Sequence, residues 1–180
     1  MVDVDTTPAP SVYLVVGIPG SGKSTVAREL AGRFPRGAHI ECDLVQGMIV
    51  AGARSPVPEG DAEADRQLLL RARNASVLAR SFHAAGVVPV IDDVVVRAEH
   101  LDYYRRQLKG LPVRLVVLAP EPGVAARRIA ERDKELADDW GFLDAIMREE
   151  IADHGRWIDS STMTVEQTVL IALSDRSMRL

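Results

Sequence analysis

The chain alternates between unbroken apolar runs and stretches where apolar residues recur every three or four positions. Val12-Tyr13-Leu14-Val15-Val16 opens the pattern. A continuous, β-branched run of this kind suits a strand buried on both faces, as in a parallel sheet. Gly17 to Gly22 form a glycine-rich turn, and Ser24–Phe34 predicts a helix with Val26, Ala27, Leu30 and Ala31 on one side, ended by Pro35 and Gly37. His39–Cys42 predicts a second strand. Asp43 then stands where a helix would start, ahead of Leu44, Met48 and Ile49.

Gly52–Gly60 holds two prolines and two glycines and predicts a loop. A long helical pattern runs from about Asp61 to Ala85 and stops at Gly86, a C-terminal capping position. Val87–Ile91 predicts a third buried strand that leads into Asp92-Asp93. Pro89 removes one ladder donor, which is tolerable near the start of a strand. Helix over Ala98–Leu108, strand over Val113–Leu118, helices over Pro122–Lys134 and Phe142–Asp153, strand over Trp157–Asp159 and helix over Val165–Ser174 complete the reading. Strands alternating with helices predict an α/β fold, a parallel sheet with helices on both faces. The expected organisation is a flexible tail over residues 1–10 and a single domain over 11–180, with a small lid at about 131–141.

Composition narrows this little but excludes some classes. Hydrophobic residues at 47% and charged residues at 27% describe an ordinary globular chain rather than a disordered one. A net charge of −4 argues against a broad nucleic-acid-binding surface. Cys42 is the single cysteine, so neither an intrachain disulfide nor a CxxC zinc site is available. No apolar run reaches the roughly 18 residues of a membrane span. Met1–Pro10 lacks the basic start of a signal peptide, and a cytoplasmic location is expected.

The chemistry is concentrated in Gly17-Ile18-Pro19-Gly20-Ser21-Gly22-Lys23-Ser24, a full match to G-x-x-x-x-G-K-[ST] between a predicted strand and a predicted helix. Glycines let the backbone turn sharply and approach phosphates closely. Free amides of the loop and of the helix N-terminus attract the anion, so Gly17, Gly20, Ser21, Gly22, Lys23, Ser24 and Thr25 are expected to bind ATP. Lys23 would reach the β- and γ-phosphates and the Ser24 hydroxyl would hold Mg²⁺. Asp92-Asp93, at the end of a strand beside this loop, can hold the same ion through water; either could, and Asp92 is favoured. Both would otherwise be capping or turn residues.

Asp43 follows the second strand, where ligands of open α/β sheets bind. A carboxylate there can take the proton of an attacking hydroxyl; it would equally serve as N-cap of a helix opening at Leu44. Arg127, Arg128 and Arg132 share one predicted helix, with Arg128 and Arg132 four apart on one face. They could neutralise transferring phosphate or belong to a solvated face balanced by Glu131, Asp133 and Glu135. Arg54, Arg71, Arg73 and Asn74 could hold an acceptor or lie at the surface. Cys42 reads as a small buried residue, Trp140 and Trp157 as packing residues, and none of the four histidines shows ligand spacing.

Taken in order, Val15–Val26, Ile40–Met48, Ala85–Val95 and the Arg128/Arg132 pair ahead of Trp157–Ser161 resemble the P-loop small-molecule kinases, within them chloramphenicol phosphotransferase and related chains. The resemblance spans about residues 12 to 175. It implies a five-stranded parallel sheet, Asp43 as the base that activates a substrate hydroxyl, Arg128 and Arg132 over adenine and phosphates, and an adenine site along Asp159–Thr162 that includes Ser160. Ala53–Arg73 does not match the acceptor region of the chloramphenicol enzyme. The reading is an ATP- and Mg²⁺-dependent phosphotransferase acting on a hydroxylated small molecule, with Lys23, Asp43 and Arg132 in catalytic roles and no membrane partner. A polynucleotide 5′-kinase-like enzyme would need a basic groove that the acidic balance disfavours. An ATP-driven regulatory module is the alternative from another class. No Asn-Lys-x-Asp segment supports a guanine-reading switch.

Overall fold

The computed structural model describes residues 11–56, 60–132, 141–174 and 180, the Arg132 side chain excepted. The expected tail over 1–10 and the 133–140 part of the expected lid lie outside these residues, as do Lys134 and Trp140.

Five parallel strands stand in the order β2-β3-β1-β4-β5. They are β1 Val12–Gly17, β2 Gly37–Glu41, β3 Val88–Asp93, β4 Val113–Leu118 and β5 Arg156–Ile158. Every residue of β1 and β3 is buried, which is why both read as unbroken apolar runs rather than alternations. Pro89 sits opposite Ala38 of β2, and the ladder between β3 and β1 begins only at Val90. The missing amide therefore precedes the central ladder.

Helices cover both faces. On one, α1 (Lys23–Gly32) and α7 (Val165–Ser174) pack Val26, Leu30, Val169 and Ala172 over Val15, Val90 and Val116. On the other, α3 (Ala62–Ala84), α4 (Ala98–Gln107) and α6 (Gly141–Glu150) set Ala72, Ala75, Ala79, Leu101, Tyr104 and Met147 against Leu14, Val16, Ile91 and Leu115. Three alanines at helical spacing let α3 lie close to the sheet. Its first turn is held by Asp61, which accepts from the amides of Glu63 and Ala64. The short α2 (Cys42–Gly47) and α5 (Pro122–Arg132) complete the set.

Several boundaries differ from expectation. β2 ends at Glu41, and Cys42 already belongs to α2. Glu41 is the N-cap position, so Asp43 lies in the first turn and is not the cap. That frees its carboxylate from a purely local role. The first helix ends at Gly32 rather than Phe34, with the Arg33 amide bonded to the last carbonyls. α6 stops at Glu150, and β5 starts at Arg156 and ends before Asp159. No helix among the described residues is long and apolar enough to cross a membrane.

Candidate active site

The glycine loop leaves β1 at Gly17 and enters α1 with Gly20 at φ 78° and Gly22 at φ 89°. Side chains rarely adopt this left-handed region, and a Cβ at Gly20 would also collide with the Ala125 carbonyl of α5. Gly22 is the N-cap of α1 and supplies no side-chain acceptor; no acidic residue occupies the first turn. A helix usually satisfies its first amides with a capping side chain. Here they are left for an anion, with the helix dipole in its favour.

Lys23, the first residue of α1, is buried and takes part in no ion pair or side-chain hydrogen bond among the described residues. Burial pulls its pKa down, while Asp43, Asp92 and Asp93 push it up. The ammonium is thus desolvated, with three carboxylates acting on its charge.

Strand alternation sends Asp92 and Asp93 to opposite faces of the sheet. Asp92 lies in register with Val15 and Glu41 and points to the α1 side. There the Ser24 hydroxyl donates to its Oδ2 at 2.5 Å, and His39 Nε2 stands 3.0 Å from its Oδ1. A hydroxyl and a carboxylate held together are the hard oxygen donors that magnesium takes. Among the described residues no group of three or more His, Cys, Asp or Glu gathers, so a metal here would draw its other ligands from phosphate and water, as magnesium commonly does.

Asp93 faces α3 and α4 instead. Arg71 Nη2 donates to it at 2.5 Å, the Tyr104 hydroxyl at 2.7 Å and the Val94 amide at 2.8 Å. Burial pushes the Asp93 carboxyl up, and these three groups oppose that shift. Burial also works against the Arg71 charge, which Asp93 restores, so the guanidinium stays above its usual value. The other end of Arg71 reaches Asp43, Nη1 to Oδ1 at 3.6 Å. The Asp43 side chain is 70% exposed, so one buried guanidinium ties an open carboxylate to a closed one. Cys42 lies beneath, its thiol 3.5 Å from the Tyr104 hydroxyl and its pKa pushed up by burial. This matches the expected packing role.

The arginines of α5 divide. Arg127 faces Glu131 at 3.9 Å on an exposed surface, the solvated arrangement. Arg128 instead spans two backbone carbonyls, Nη1 to Ser21 O at 3.4 Å and Nη2 to Ser160 O at 3.0 Å. Ser21 and Ser160 are both buried, and neither hydroxyl has a partner among the described residues. The Arg132 side chain lies outside them. Past β5, the Asp159 carboxylate accepts from the Ser161 amide and hydroxyl. Thr25 is exposed and lines an open cavity of about 620 Å³ with Ser24, Arg28, Glu29, His39, Glu41 and Val165.

Of the four acceptor candidates on the sequence, Arg71 is buried and joined to Asp43, which removes the surface alternative for it. Arg54 faces Asp61 at 3.7 Å, and Arg73 and Asn74 are exposed on α3. Two neighbours of the carboxylates were missed from sequence, His39 and Tyr104. His39 is brought there by the register of β2 on β3, two residues before the residue level with Asp92. Tyr104 carried no signal beyond an apolar helix position.

Residues 14–153 match the profile of a family described as an AAA domain. No curated protein sequence matches the chain. Among solved structures, the chain is similar to a sugar kinase from Janibacter sp. HTCC2649 with a TM-score of 0.64 and 21% identity, covering 94% of this chain and 96% of that one. A gluconokinase from Sinorhizobium meliloti 1021 gives a TM-score of 0.59 at 16% identity, over 92% of this chain and 91% of that one. The Deinococcus radiodurans tunicamycin resistance protein gives 0.67 at 18%, over 94% and 98%. At such identities the likeness is one of fold.

Proposed function

The chain belongs to the AAA domain family, and on that premise we propose that it is an ATP-dependent phosphotransferase that moves the γ-phosphoryl group to a hydroxyl of a small molecule. Residues 11–180 act as one domain. The observation that carries the reading is Lys23: a buried ammonium with no ion pair among the described residues, at an uncapped helix N-terminus, with Asp43, Asp92 and Asp93 acting on its charge. Such an arrangement is electrostatically incomplete without an anion, and a polyphosphate completes it.

In the proposed reaction the acceptor oxygen forms a bond to the γ-phosphorus as the bond to the bridging oxygen breaks, and ADP leaves. The acceptor's proton goes to Asp43, whose exposed carboxylate can meet a substrate while Arg71 holds its position. Lys23, Arg128 and Arg132 stabilise charge on the transferring group and leaving oxygen. The main-chain loop over Gly17, Gly20, Ser21, Gly22, Ser24 and Thr25 cradles the phosphates, and Ser160 borders the adenine. Ser24 and Asp92 would hold magnesium, which would supply charge neutralisation to the phosphates.

A sugar kinase, a gluconokinase and a tunicamycin resistance protein share the fold, so the acceptor screen includes sugars, gluconate and tunicamycin alongside other hydroxylated metabolites and antibiotics. The expected outcome is ATP-dependent gain of one phosphate by one class of these compounds, read by mass spectrometry. Hydrolysis of ATP that no acceptor stimulates, with a nucleotide-dependent protein partner, would replace this reading by that of a regulatory module. Folded protein that binds no nucleoside triphosphate in magnesium buffer would end both.

A further inference from the structure

Asp92 is gripped from a side that the nucleotide reading does not require. His39 stands on β2, two residues before Glu41, the residue level with Asp92 on β3. Residues two apart on a strand share a face, so the imidazole reaches Asp92 on the diagonal. Its Nε2 lies 3.0 Å from Oδ1, and the His39 side chain is 16% exposed against 3% for Asp92. With the carboxylate as acceptor, Nε2 is the donor of this contact. Ser24 meanwhile donates to Oδ2. Bonded at both oxygens from two different elements, the carboxylate can neither rotate about its terminal torsion nor swing away from α1.

We propose that His39 is a positioning residue for the metal end of the site: it fixes the orientation in which Asp92 presents Oδ2 beside Ser24 to the magnesium of magnesium-bound nucleotide. The inference deepens the proposed function and rests on it. Magnesium demands near-ideal octahedral geometry, so a carboxylate free to turn serves it poorly. Partners that orient metal-binding groups typically contribute about 10–100-fold to metal affinity. The imidazole also borders the open cavity beside Thr25, Arg28, Glu29 and Glu41.

The test is calorimetric titration of the full chain with ADP, once in magnesium buffer and once in EDTA. The ratio of the two dissociation constants isolates the contribution of the metal. His39→Ala is expected to reduce that ratio by about tenfold or more while metal-free ADP affinity and melting temperature stay near wild type. His39→Gln, whose amide nitrogen can take the place of Nε2, is expected to recover most of it. Asp92→Asn marks the full loss. A His39→Ala protein with the wild-type ratio overturns the inference, as does equal weakening in both buffers, which would be a purely structural effect. Wild type that binds ADP without any magnesium dependence also overturns it and leaves the nucleotide site standing. Wild type that binds no nucleotide in either buffer overturns the proposed function itself.

Discussion

On the α1 side of the sheet the candidate site is made mostly of main chain: a loop with two left-handed glycines, an uncapped helix start, and carbonyls of Ser21 and Ser160 bridged by Arg128. On the α3 side it is made of side chains, with Tyr104, Asp93, Arg71 and Asp43 joined in series. The difference has a consequence for stability. Main-chain geometry is enforced by glycine and by packing, and one side-chain change leaves most of it in place. The series on the other side is a buried charge network, where losing one member strands the next. The first arrangement suits a ligand common to many enzymes. The second leads to Asp43, the proposed base.

Five substitutions probe that contrast. Asp43→Asn is expected to have the largest effect, lowering turnover by about 10²–10⁴-fold with the ATP dissociation constant unchanged, measured with the acceptor found in the screen. Equal losses in turnover and ATP binding would move Asp43 to the nucleotide side. Next, Asp93→Ala should cost about 3–5 kcal/mol in chemical denaturation, because Arg71 is left buried with its main partner gone. Asp92→Ala should cost far less stability and instead remove the magnesium dependence of ADP binding. Similar unfolding curves for the two would deny that the carboxylates have separate duties.

Lys23→Met comes third, lowering turnover by about 10²–10³-fold while raising the melting temperature, since a desolvated buried ammonium is lost. Its pH dependence has a definite sign. Burial holds the native pKa of Lys23 below its ordinary value of 10.5, so the unfolded chain keeps that proton to higher pH. Wild type should gain stability relative to the variant as pH rises from the native value towards 10.5. A constant difference across that range would contradict a desolvated lysine. Smallest is Tyr104→Phe, which removes one hydrogen bond to Asp93 and should cost about 1–2 kcal/mol without altering ADP affinity.

The same contrast explains what could be read from the chain. The loop was legible because glycine, lysine and serine at fixed spacing, between an apolar run and an amphipathic stretch, constrain main-chain geometry directly. All five strands and the two-sided covering of the sheet followed from apolar pattern alone. The division between Asp92 and Asp93 did not, because β3 is buried on both faces and an unbroken apolar run hides which residue points where. Register against Val15 and Glu41 supplies the missing parity. Arg71 looked like any charged residue of a long helix, and its burial depends on Asp93 arriving from another element. Arg127 and Arg128 are adjacent, yet only the turn of α5 against the loop separates a solvated residue from a bridging one. Asp43 was the opposite case: a local capping explanation competed until β2 proved to end one residue earlier and Glu41 took that position.

Arg128 fastens itself to oxygen atoms that every amino acid possesses, since both of its acceptors are peptide carbonyls. The identity of the residues at positions 21 and 160 is therefore immaterial to this attachment. A substitution at either position that leaves the backbone in place should leave the guanidinium attached.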